Sequence, residues 1–497
     1  MMFFSSAFRN VKKQSQNYAV YFLCVTIIVS LLFSVMNAIT NKDFVEIMEI
    51  REMQWTNIML VALMAAVATV ALSRAQMFMI EMRKKEFGIY LTVGMKRKDI
   101  LRIFVGEIFI VFTATLVIGC VLGIVIYQWL MMFIMKLLDM EVKMSSYSLS
   151  GIGYTVLIVI LVFLVSSASA YFYLKKTSIR ELVSAKIKQK NSFSRGSLII
   201  WSIVSLCCLT FYLYLIFYIS KLNDISGEKL QTSDPLNEML AGVVMALLFI
   251  VSTILLHISV AKILVPILLK SKKMMRGTNT LVLRQLGRKL NANAVMLGMV
   301  ALMIFFSTMM LSSIFSTSIV DDYSDVNLVK TEEMTDEEFR QRQEGLEMDK
   351  KNDAVIIIIS CYIGMMFVII SVALMALKVT ADADSDMKGY DLLYKLGLGE
   401  SKIKKVLLKQ LAIYFCFPLV FPVVSFIVMY VVEYYTIFRN SEFLGLGMET
   451  YFTDEFFDGI KDMVLIFLLI MAVFLICFIA SYMTMKKNII MYNRSRK

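Results

Sequence analysis

Apolar runs of roughly twenty residues, the length that spans a hydrocarbon core about 30 Å thick as helix, recur along the chain and alternate with shorter polar stretches. They centre on 18–38, 55–79, 103–128, 151–174, 197–219, 239–267, 294–319, 354–377, 406–435 and 461–484. The pattern predicts an all-α polytopic membrane protein with ten transmembrane helices. The first run begins near Tyr18 and has no small-residue cleavage site behind it. It is therefore expected to stay as a membrane helix rather than be removed as a signal peptide.

The polar stretches are not interchangeable. "RKKEFGIYLTVGMKRKDI" at 83–100 sets six Lys/Arg around a short apolar run and Gly94. "KGYDLLYKLGLGESKIKK" at 388–405 resembles it. Aligning 90–104 with 393–407 puts Gly94 on Gly397, Ile100 on Ile403 and Phe104 on Leu407. Two further matches flank this one. "FRNVKKQSQNYAVYF" (8–22) resembles "LRQLGRKLNANAVML" (283–297), with Arg9 on Arg284 and Lys13 on Arg288. "YFYLKKTSI" (171–179) resembles "YMTMKKNII" (482–490). A long-period internal match is the mark of a duplicated unit. The implied organisation is a four-helix repeat over 1–190, a two-helix insert over 191–275, and a second four-helix repeat over 276–497. Both repeats have the same orientation, so their pseudo-twofold axis lies along the membrane normal.

Within 83–100, Phe87, Ile89, Tyr90, Leu91 and Val93 supply apolar surface, and Gly94 can end a helix in a left-handed backbone. Asp99 then opens the next helix, giving an elbow at the inner membrane surface. An amphipathic basic helix can be held there by anionic lipid alone. The return of the glycine at 397 favours a protein groove instead, because lipid binding requires no fixed glycine.

The segment 83–100 resembles the signature of the FtsX-like (MacB-type) ABC transporter permeases: an Arg, a Glu, an apolar pair, a Gly and a downstream Ile. Arg83, Glu86, Ile89, Leu91, Gly94 and Ile100 fill those places, with Phe87 beside them. The resemblance implies a coupling helix that docks into a separate cytoplasmic ATPase. The second copy keeps Leu392, Leu393, Gly397 and Ile403 but has Gly389 where the first has Glu86. The four-two-four layout is similar to the Bce-type permeases of antimicrobial-peptide resistance, which carry a large outer domain after helix seven; here that loop, 320–353, is short. By resemblance, the expected partners are an ABC ATPase in two copies, a membrane sensor kinase, membrane lipids, and a cationic peptide antibiotic or lipid-linked precursor. Control of an extracellular cell-wall hydrolase, and lipid or lipoprotein export, are the alternative functions.

Composition supports the membrane reading: 59% of residues are hydrophobic, with a net charge of +12. Such a charge can signal nucleic acid, but its distribution argues against that partner. With the N-terminus inside, inner segments hold about three times the Lys/Arg of the outer loops. That bias predicts both termini in the cytoplasm. Trp55 and Trp129 are expected at the outer interface and Trp201 at the inner one.

Candidate chemistry is sparse. No G-x-x-x-x-G-K-[ST] pattern occurs, so no ATP cofactor is expected on this chain and hydrolysis is assigned to a partner subunit. "LSGIG" (149–153) lies on the predicted outer side, far from where an ABC signature would work. The lone His257 and seven scattered cysteines, Cys207 and Cys208 adjacent, suggest packing rather than a metal or disulfide framework. The 320–353 loop carries twelve Asp/Glu against five Lys/Arg. It is either a solvated acidic loop or a lure for cationic peptides. Thr335 and Glu338 form a capping-box pattern that predicts a short helix after them. Pro418 and Pro422 in span nine mark a kink and a candidate flexing point.

Overall fold

The computed structural model describes residues 15–41, 53–137, 147–176, 195–225, 235–270, 279–326, 336–395, 397–428 and 454–494. Among these residues every regular element is helical. In chain order they are α1 (Ser15–Thr40), α2 (Met53–Thr92), α3 (Arg97–Leu137), α4 (Leu149–Lys176), α5 (Arg195–Ile225), α6 (Pro235–Lys270), α7 (Asn279–Val326), α8 (Asp336–Lys395), α9 (Glu400–Cys416) and α10 (Asp454–Arg494). A helix falls on each predicted span. Eight stretches of the described residues are long and apolar enough to cross a membrane. On α5 the apolar part is the shorter Ile199–Tyr214. The protein is an all-α polytopic membrane protein.

Two compact units divide the chain. The first comprises Met1–Lys188, Ser324–Tyr362 and Val372–Asp386. The second comprises Gln189–Tyr323, Ile363–Ser371 and Met387–Lys497, so α8 contributes to both.

In the first unit α1 is largely enclosed, packing against α2, α3 and α4. Small residues let it sit that close. A Cβ on Gly119 would lie 2.7 Å from Val29 Cγ1, and one on Gly123 would lie 2.8 Å from Phe33. This is the small-xxx-small packing of membrane helices, where backbone approach and interhelical hydrogen bonds replace the hydrophobic effect. The enclosed face of α1 carries Thr26, Ser30, Ser34, Asn37 and Asn41 at helical spacing, all buried. Asn41 Nδ2 donates to Tyr127 Oη of α3 at 2.5 Å, and Tyr362 Oη of α8 donates to the Leu31 carbonyl at 3.3 Å. "LSGIG" is the start of α4: Ser148 Oγ accepts the Gly151 amide, and Gly151 packs on Asn37 and Thr40.

In the second unit α5 and α6 pack on each other, tied by a Tyr212–Thr253 hydroxyl hydrogen bond. Lys262 Nζ sits 3.4 Å from the centre of the Trp201 ring. Gly298 and Gly364 bring α7 against α6 and α8 respectively. Large apolar side chains such as Val121, Leu161, Leu206 and Leu213 are exposed along the helices, as lipid-facing positions are.

The helix predicted after Thr335 is present from Asp336, but it does not stop. It continues through the span as one 60-residue helix, α8. Its residues contain no proline, and its three glycines, Gly345, Gly364 and Gly389, do not interrupt it. Thr335, Arg9 and Lys13 lie outside the described residues.

Candidate functional site

The two segments singled out by the repeat fold into the same turn. At the end of α2 the Gly94 amide donates to the Leu91 carbonyl (3.2 Å) and the Met95 amide to the Tyr90 carbonyl (3.0 Å). At the end of α8 the Gly397 amide donates to Tyr394 (3.0 Å) and the Leu398 amide to Leu393 (3.1 Å). Both are Schellman caps, which require a left-handed residue after the last helical turn. Gly94 has φ +97° and Gly397 has φ +87°. The following helices open alike: Asp99 and Ile100 amides donate to the Lys96 carbonyl, and Lys402 and Ile403 amides to that of Gly399.

Burial repeats in the same register. Phe87, Ile100 and Phe104 are buried in the first elbow; Tyr390, Leu393, Ile403 and Leu407 are buried in the second. Phe87 and Phe104 meet edge to face, centroids 5.8 Å apart, and so hold α2 against α3. The outward positions also match. Ile89 is 58% exposed and its counterpart Leu392 59%, with Val93 at 81%. Leu91 is half-buried, and Gly94 and Gly397 are exposed. The predicted site residues thus divide into an inward set that fixes the elbow and an outward apolar set.

Beneath the shared turn the chemistry differs. Arg83, only 1% exposed, pairs with fully buried Glu107 of α3. Its Nη1 also donates to Tyr18 Oη of α1 (3.0 Å), and Tyr18 donates to Glu107 Oε2 (2.7 Å). Arg83 Nε reaches Glu86, itself 41% exposed, at 3.0 Å, and the guanidinium lies over the Phe87 ring. In the repeat register Gln410 replaces Glu107, Asp386 replaces Arg83 and Gly389 replaces Glu86. There Tyr390 Oη donates to Gln410 Oε1 (2.6 Å), and Gln410 Nε2 donates to Gln285 of α7. Each elbow is therefore tied to its neighbours, one by charge and one by neutral amides and a phenol.

The proline pair lies at a local change of helix type. α9 ends at Cys416, Phe417–Leu419 form a 3₁₀ turn, and helix resumes to 428. Phe421 packs within 6 Å, centroid to centroid, of Tyr212, Phe305 and His257. His257 is buried and its Nδ1 lies 2.8 Å from the Thr253 carbonyl. Its surroundings are aromatic: the Phe417 and Phe421 rings each lie with centroids 5.8 Å from the imidazole. Cys208 is buried while Cys207 is exposed, as adjacent helical positions on different faces should be.

The elbow and its helices are the part of the chain that resembles known proteins. A family model for the FtsX-like permease C-terminal region matches residues 58–179, which run from α2 through the first elbow and α3 past the end of α4. Residues 58–179 are thus similar to an FtsX-like permease domain. Two curated relatives extend this likeness. The chain is 26% identical over 179 residues to the bacitracin export permease protein BceB of Bacillus subtilis, covering 35% of this chain and 27% of that protein. It is 23% identical over 195 residues to the BceB of Halalkalibacterium halodurans, covering 38% and 30% respectively. The matched stretches therefore span less than a third of either relative.

The sequence pattern placed Arg83, Glu86 and Gly94 in one segment but missed Glu107 and Tyr18, which complete the cluster from two other helices. Their signal was present: a lone Glu inside the apolar run of α3 needs a buried partner. Gln410, Gln285 and Tyr390 were missed for the same reason. The Gly119/Gly123 pair at i, i+4 was readable as a packing face and was not used.

Proposed function

We propose that the chain is the membrane subunit of a bacterial ABC system, in which a separate cytoplasmic ATPase works through the two elbows. The observation that carries this reading is the repetition of the elbow: the same glycine cap, the same inward core and the same outward apolar position in two places. A lipid anchor has no need of matched backbone geometry, whereas two protein sockets do. α2 continues unbroken for 40 residues, so the span and its extension to the elbow form one helix about 60 Å long. A push on the turn then moves the span as a lever rather than bending a loop.

The positive-inside bias orients both termini and both elbows to the cytoplasm. The relatives' name, bacitracin export permease, supports a role in peptide-antibiotic resistance or its sensing at a Gram-positive envelope. ATP is bound and hydrolysed by the partner, in two copies, one per elbow. A sensor kinase, surrounding lipids, and a cationic peptide or lipid-linked precursor at the outer face complete the assembly. Pro418 and Pro422 supply the flexing point of the second repeat, because a 3₁₀ interruption is where a helix changes direction at least cost.

The test is co-purification of the full chain with the ATPase from its own cell. Changing Ile89→Asp together with Val93→Asp puts charge on outward positions without disturbing the buried network. Recovery of the ATPase per chain is expected to fall by about half, because the second elbow keeps its copy while association at the first weakens about tenfold, roughly 1.4 kcal/mol. Undiminished recovery with both aspartates would refute the elbow as the docking site.

A further inference from the structure

One ion pair joins the two lever helices themselves. Lys378 of α8 is almost fully buried, and its Nζ lies 2.8 Å from Glu81 Oε2 of α2. It also lies 3.0 Å from Asp382 Oδ1, one turn along its own helix, and 5.1 Å from the centre of the Phe78 ring on α2. All four residues belong to the first compact unit. Two anchors hold α8 in place there: Cys24 Sγ of α1 reaches the Ala373 carbonyl (3.7 Å), and Tyr362 reaches the Leu31 carbonyl.

Three features set this pair apart from an incidental bridge. It is buried on the lysine side, where a cation without partners is costly and a paired one is not easily parted. The helices that carry it run on toward the two turns, α2 from Glu81 to Thr92 and α8 from Lys378 to Lys395. It also has no symmetry mate. In the repeat register Ala75 stands where Lys378 does, and Asp384 where Glu81 does.

We propose that Glu81 and Lys378 form a cross-tie that makes the two elbows move together, so that ATP-driven movement at one is felt at the other. Glu81 and Lys378 are positioning residues: they touch no substrate and act through the helices that carry the turns. Asp382 keeps the lysine charged and satisfied whether or not Glu81 is present. This inference rests on the ATPase-driven reading above, and it deepens it by naming how the two sites are coupled.

Asp382 also provides the matched control. Glu81→Gln removes the tie between helices while Lys378 keeps its partner on α8. Asp382→Asn removes a comparable charge but leaves the tie. In the complex of full chain and ATPase, the Hill coefficient for ATP hydrolysis should fall from near 2 toward 1 in Glu81→Gln, with ATPase recovery unchanged, whereas Asp382→Asn should keep it. A second measurement is independent of the ATPase: genetically encoded spin labels at positions 93 and 394, both exposed, report the distance between the elbows. Its distribution should broaden in Glu81→Gln and not in Asp382→Asn. Equal effects of the two substitutions, or no effect of Glu81→Gln on the label distances, would overturn the cross-tie. Failure of any ATPase to co-purify would instead overturn the functional reading, while the label distances still decide the tie.

Discussion

The two elbows carry the same backbone over different buried chemistry. Gly94 and Gly397 close their helices with the same pair of hydrogen bonds, and Ile89 and Leu392 stand equally exposed. Beneath them, Arg83–Glu107–Tyr18 is ionic, whereas Tyr390–Gln410–Gln285 is neutral. Duplication with divergence explains this pairing. On the proposed function the turn answers to an external surface that both copies must fit, which accounts for its common geometry. The buried tie answers only to its own three helices, and several solutions serve. A charged pair is the more demanding one, because losing either member strands the other in an apolar setting.

The largest expected effect breaks the contrast at its charged side. Glu107→Ala leaves buried Arg83 with only the part-exposed Glu86 as counter-charge and should cost about 3–5 kcal/mol. Gln410→Ala strands two neutral groups and should cost about 1–3 kcal/mol. Thermal unfolding of the purified chain in one detergent measures both. The double substitution Arg83→Met/Glu107→Leu sharpens the point, since exchanging a whole buried pair for apolar groups is often neutral or stabilising. It should recover most of the loss seen for Glu107→Ala. If the two losses simply add, the pair is not the tie described above.

A smaller effect tests what the elbows share. Gly94→Ala and Gly397→Ala each force a left-handed Cβ, at about 1–2 kcal/mol. No atom lies within 4 Å of either added Cβ, so the cost is backbone strain alone and should be equal at the two sites. The same unfolding measurement decides it. A difference larger than about 1 kcal/mol would mean that the caps are not equivalent.

What the sequence revealed of this site follows from how local each feature is. Gly94, Gly397, Ile100 and Ile403 were legible because a cap and the first turn after it are written within ten residues and then repeated. Arg83 was legible as a member of the motif but not as a buried cation, since its partner is 24 residues away on another helix. Lys378 and Glu81, 297 residues apart, left no local pattern at all. Hydropathy located the membrane helices well, because the bilayer reads average apolarity over about twenty residues. It gave no warning that α8 begins at Asp336, where charged helix runs directly into apolar helix. An acidic stretch looks like a loop to a hydropathy window, although Glu and Lys are good helix formers.

The most direct test of the account is the number of ATPase copies carried by one chain, read by native mass spectrometry of the purified complex. Two equivalent outward positions predict two copies, one lost in Ile89→Asp, one lost in Leu392→Asp, and both lost when the substitutions are combined. A complex whose ATPase count is unchanged by Leu392→Asp would contradict it, because the second elbow would then be a structural echo of the first and not a second site of work.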